Sequence, residues 1–97
     1  MSPPADALEA AVEDERRRVR ELRMVVDLTS SVLLQGRLSR AEAEELVEAT
    51  RRRILELFPD KQSTYDLVLA PRFERLIAEF VAPDPAAARV LPFPKTG

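Results

Sequence analysis

The chain contains no cysteine and no histidine among its 97 residues. Without cysteine there is no disulfide, no thiolate nucleophile and no sulfur-ligated metal site. Without histidine the commonest general base and the commonest transition-metal ligand are missing together. Asparagine is absent as well, and arginine heavily outnumbers lysine, the composition expected of a GC-rich bacterial genome. No apolar run approaches the ~20 residues that a membrane span requires. The opening Met-Ser-Pro-Pro-Ala-Asp-Ala-Leu lacks the basic-then-apolar order of a secretory signal, so the expected location is the cytoplasm. No glycine-rich phosphate cradle or nucleophile elbow is visible. Ser30, Ser31, Ser39 and Ser63 have no base to activate them. These absences predict a non-enzymatic protein with no cofactor and no metal.

What is present describes a small globular domain. The sequence is 45% hydrophobic and 33% charged, too apolar for a disordered chain. At this length the stability margin is thin, because a short chain buries a smaller share of its surface. The net charge is -2, from 15 basic and 17 acidic residues, so no overall field draws the chain to nucleic acid or to an anionic membrane. Glycine occurs twice, and proline falls only near the two ends and at positions 59 and 71. The long stretches between are rich in Ala, Leu, Glu and Arg, all strong helix formers. The expected class is all-α: a long helix, an antiparallel second helix and a proline-kinked third, forming a short helical bundle.

Residues 1–5, with Pro3 and Pro4, read as a flexible arm, residues 6–82 as the helical domain, and residues 83–97 as a proline-rich tail. The first helix is expected over about 6–35, with Asp6 as its N-cap. Leu8, Val12, Val19, Leu22, Val26, Thr29 and Leu33 follow one another at threes and fours, with Glu15 filling the one gap, which makes a heptad-like seam. Met24, Val25, Leu28 and Val32 widen that face in the second half. Gly36 is placed to stop the helix in a left-handed conformation. Ser39 and Glu42 form a capping box with Leu38 ahead of it, and a second helix over about 40–58 buries Ala43, Leu46, Val47, Thr50, Ile54, Leu57 and Phe58. So short a connection makes an antiparallel hairpin. A third helix is expected over about 61–81. Its Tyr65, Val68, Leu69, Phe73, Leu76, Ile77 and Phe80 hold helical spacing across Pro71, whose missing N–H and bulky ring kink the rod. Four of the five aromatic residues lie between Phe58 and Phe80, so the core is expected there.

The length of the first helix implies a partner. Thirty residues at ~1.5 Å each span roughly 45 Å, whereas the second helix covers only some 28 Å of that. Leu8, Val12, Val19, Leu22 and Val26 form the candidate dimer seam, the same surface on two copies meeting about a twofold axis.

Other residues carry competing readings. Arg16, Arg17, Arg18, Arg20 and Arg23 on the first helix, and Arg51, Arg52 and Arg53 on the second, could serve a nucleic-acid-associated protein as phosphate contacts. Against this, Glu13 and Arg17, Asp14 and Arg18, and Glu48 and Arg52 stand four apart with the acid first, the better order for helix ion pairs. A helix-turn-helix reading fails because Glu42, Glu44 and Glu45 open the would-be recognition helix and repel phosphate. Tyr65, Asp66, Arg72 and Arg75 surround Pro71 and form a candidate kink pocket for a small-molecule-binding regulator, or else lock the kink by hydrogen bonds. Leu91, Pro92, Phe93 and Pro94 form a candidate tail motif, extended and suited to docking in a groove. The leading expectation is a non-catalytic, homodimeric protein–protein interaction module.

Overall fold

The computed structural model describes residues 5–83. Three helices and no strand are found among them. Helix α1 runs Ala5–Gln35, so it is already helical at the residue before the expected cap. Asp6 therefore sits inside the first turn instead of capping it, where its carboxylate faces the positive end of the helix dipole. The helix stops at Gly36, whose φ of 66° is the left-handed conformation a glycine adopts without a Cβ clash. The Gly36 N–H donates back to the Leu33 carbonyl at 3.1 Å.

Helix α2, Arg40–Leu57, begins with the complete capping box. Glu42 N–H donates to Ser39 Oγ at 3.0 Å, and Ser39 N–H donates to Glu42 Oε1 at 2.9 Å, so two otherwise unpaired helix-end donors are satisfied. Leu38 packs on the core that contains Ala43. Ala43, Thr50, Ile54 and Leu57 are buried, and Leu46, Val47 and Phe58 are half-buried. The helix ends at Leu57, because Phe58 leaves helical geometry at φ -136° ahead of Pro59, as a pre-proline residue tends to.

Helix α3 runs from Gln62 to Phe80 without a break. It comprises a first turn Gln62–Thr64, a wide π-type turn Tyr65–Leu69 and an α-helical segment Ala70–Phe80. The wide turn is how the chain accommodates Pro71. Ala70 N–H donates five residues back, to the Tyr65 carbonyl, so one extra residue is taken up just before the position that has no N–H to give. In a regular α-helix Tyr65 and Phe73, eight positions apart, would diverge by about 80°. The extra residue absorbs that difference, and both rings are buried with centroids 6.4 Å apart. The same shift turns Val68, expected on the apolar face, toward solvent at 60% exposure.

The chain order gives an up-down-up bundle. Contacts between α1 and α2 pair Thr29 with Thr50, Glu21 with Arg53 and Arg18 with Phe58. Positions fall along one helix as they rise along the other, so the two are antiparallel. Helix α3 runs parallel to α1: Tyr65 and Leu69 lie beside Val19 and Leu22, and the Phe80 carbonyl lies against Gly36. Leu33, Ala43, Ile54, Tyr65, Phe73, Ile77 and Val81 make the core, with Phe73 and Leu33 its largest fully enclosed side chains. The aromatic stretch therefore does supply the centre, although Phe80 stays 42% exposed.

Candidate interaction surface

The bundle covers only part of α1. At the edge of the bundle the Arg18 guanidinium lies over the ring of Phe58, the residue just past α2, 5.8 Å from its centroid. From Ala5 to about Arg17 the helix projects past the other two by roughly 20 Å at ~1.5 Å per residue. Leu8 and Val12 on this projection are 51% and 48% exposed. Farther along the same seam Val19 is half-buried, and Leu22 and Val26 pack against the chain's own core. The five seam residues thus divide. Three are partly used within the chain, and two project without a neighbouring helix among the described residues.

Where the seam meets the bundle there is an apolar groove of about 250 Å³, lined by Val19, Leu22, Ile54, Phe58, Lys61, Thr64, Tyr65 and Leu69. Its volume lies below the ~300–1,000 Å³ of pockets that hold drug-sized molecules. Only apolar atoms face it, so it offers no polar group to orient a metabolite. An aliphatic side chain suits such a slot better.

Of the residues expected around Pro71, Tyr65 is buried in the wall of this groove, and Asp66, Arg72 and Arg75 are exposed and outside its lining. The structure does not gather the four into one pocket. The Tyr65 hydroxyl is buried with no hydrogen-bond partner among the described residues. Burial raises the Tyr65 pKa above its usual value, partly offset by the nearby Arg51 charge, since a phenolate would be poorly solvated there. No sequence signal marked the groove, because it joins α1, α2 and α3 at Val19, Ile54 and Tyr65, which periodicity assigns to the faces of three separate helices.

Five of the eight clustered arginines are ion-paired, whereas Arg20, Arg23 and Arg52 are exposed and form no ion pair among the described residues. Arg16 pairs with Glu13 at 3.4 Å, Arg17 with Asp14, and Arg18 with Glu15 at 2.8 Å and with Asp14 at 3.5 Å. Arg51 meets Glu48 at 3.6 Å. Most of these pairs are three apart, where a spacing of four was expected. Both spacings are neighbours on a helix surface. Arg53 crosses between helices to Glu21 and also bonds Glu56 at 3.2 Å. Its pKa is raised first by the hydrogen bond it donates to Glu21 and second by the one it donates to Glu56. Arginines paired with carboxylates on their own helix do not make the single basic face that a polyanion requires.

Leu91, Pro92, Phe93 and Pro94 lie outside the described residues. Among the described residues no helix is long and apolar enough to cross a membrane. No protein-family model, curated protein or solved structure matches the chain, so the surface is read from its chemistry alone.

Proposed function

We propose that the protein is a non-catalytic interaction module that works as a homodimer, with the projecting half of α1 as its principal binding face. The observation that carries this reading is the exposure of Leu8 and Val12 on a helix that, among the described residues, has no neighbour over its first three turns. A lone amphipathic helix of that length is marginal in water. Covering it with a second copy supplies the missing apolar contact, and identical copies present identical seams. The charged residues beside the seam set orientation more than affinity. The proposed setting is the cytoplasm of a bacterium, on composition.

Static light scattering across micromolar concentrations tests the reading. A dimer gives twice the 10.9 kDa of one chain, and a mass that stays at one chain throughout removes the homodimer.

A further inference from the structure

We propose that the two copies pair their α1 helices antiparallel, so that Leu8 and Val12 of each fill the apolar groove of the other. This inference rests on the homodimer reading and adds the arrangement and the occupant of the groove.

Three observations point to it. The first is position. Leu8 stands seven residues before Glu15, and Leu22 stands seven after it. Val12 is three before and Val19 four after. All five lie on one helical face at alternating spacings of four and three. An antiparallel crossing centred between Glu15 and Arg16 therefore lays Val12 over the second copy's Val19 and Leu8 within one residue of its Leu22. Val19 and Leu22 are the two α1 residues that line the groove, so the seam runs into the slot without interruption.

The second observation is charge: the ion pairs that α1 makes along itself at its acidic and basic triplets are exposed, so these side chains stay open to a second copy at short range. Glu13, Asp14 and Glu15 are followed directly by Arg16, Arg17 and Arg18. Reversing one copy about this centre sets the acidic triplet of each helix against the basic triplet of the other. A parallel, in-register pair would set like against like, which destabilises. The third is the groove itself. It is small, and the atoms that face it are apolar even where Lys61 and Thr64 line it, which fits the half-exposed leucine and valine of a neighbouring helix.

The absence of cysteine makes a clean test. Leu8→Cys and Thr64→Cys chains are prepared separately, each shown by light scattering to keep the mass of the unmodified protein, then treated with a short bifunctional maleimide alone and after mixing. Thr64 lies at the groove and is exposed. In the antiparallel pair the two Leu8 positions lie about 23 Å apart along the axis, at ~1.5 Å per residue. The expected result is a covalent dimer in the mixture and little in either variant alone. Efficient linking within the Leu8→Cys variant alone means a parallel pair, and overturns the arrangement while leaving the homodimer standing. A dimer with no link in the mixture overturns it likewise. A chain carrying Thr64→Cys and Phe93→Cys that closes on itself efficiently assigns the groove to the tail, against the proposal. A one-chain mass for the unmodified protein removes the homodimer reading and this inference with it.

Discussion

The side-chain oxygens of Thr29 and Thr50 lie 2.6 Å apart in the buried contact between α1 and α2. Thr50 Oγ1 also donates to the Leu46 carbonyl at 2.9 Å. A hydroxyl has one proton, so Thr29 is the donor in the pair and Thr50 its acceptor. This short chain of hydrogen bonds lies in the buried part of the contact and, with the exposed Arg53–Glu21 ion pair, sets the register of the two helices.

The directionality makes the two threonines unequal. Thr50→Val removes the acceptor and leaves the buried Thr29 hydroxyl unsatisfied, at a cost of about 1–3 kcal/mol. Thr29→Val removes the donor, but Thr50 keeps its bond to Leu46, so the loss is nearer ~1 kcal/mol. The double valine variant removes both polar groups and should be less destabilised than the sum of the single variants. Urea unfolding of the three variants checks the order. Equal effects for the two single variants would contradict the assigned direction.

Gly36 is needed for two separate reasons. Its φ of 66° is costly for an L side chain, and a Cβ there would stand 2.7 Å from the Phe80 carbonyl oxygen. That oxygen belongs to the backbone of α3 and cannot swing aside. Gly36→Ala should therefore cost about 2 kcal/mol or more, the strain of a left-handed residue plus the displacement of the α3 terminus. Thermal unfolding measures it, and an alanine variant as stable as the parent would show that the loop and α3 do not meet this closely.

Tyr65 predicts an unusual response to pH. Its buried hydroxyl has no partner among the described residues, and burial holds its pKa above the usual phenol value. In the unfolded chain the phenol ionises near pH 10, whereas in the fold it stays protonated to higher pH. The unfolded state then binds fewer protons, so stability is full below about pH 10 and falls as pH rises from there through the folded pKa. Tyr65 is the only tyrosine, so phenolate absorbance reports it alone and should titrate above its unfolded value. Tyr65→Phe removes an unsatisfied polar atom, which should leave stability unchanged or raise it by up to about 1–3 kcal/mol, and should abolish this contribution to alkaline loss. A clearly less stable phenylalanine variant would mean that the hydroxyl has a partner.

Much of this architecture was legible in the sequence because local signals agreed with one another. Ser39 and Glu42 marked the start of α2, Gly36 marked the end of α1, and the spacing of Ala43, Thr50, Ile54 and Leu57 gave the buried face of α2. Pro71 announced a disturbance in α3, but its form depended on a tertiary need. Tyr65 and Phe73 both had to reach the core, and the wide turn between them is what permits it. The groove was not legible, since its walls come from three helices whose relative placement no single periodicity encodes. The division of the α1 seam was only partly so. Length showed that an overhang must exist, but not that Leu22 and Val26 would be taken by the chain's own core.

If the projecting residues hold two copies together, a charge on them should separate the copies without unfolding either. Leu8→Asp removes one buried leucine from each copy. At ~1.5 kcal/mol for each side chain, counted twice by symmetry, the dissociation constant rises roughly 100-fold or more. Circular dichroism should change little, because the core of Leu33, Phe73 and Ile77 lies at the other end of α1.

The most direct test of the account is the mass of the unmodified protein in solution, compared with that of the Leu8→Asp variant at the same micromolar concentration. The account predicts two chains for the parent, about twice 10.9 kDa, and a shift toward one chain for the variant. A single-chain mass for the parent at every concentration, with the first turns of α1 still helical and exchanging their amide protons freely, would contradict it.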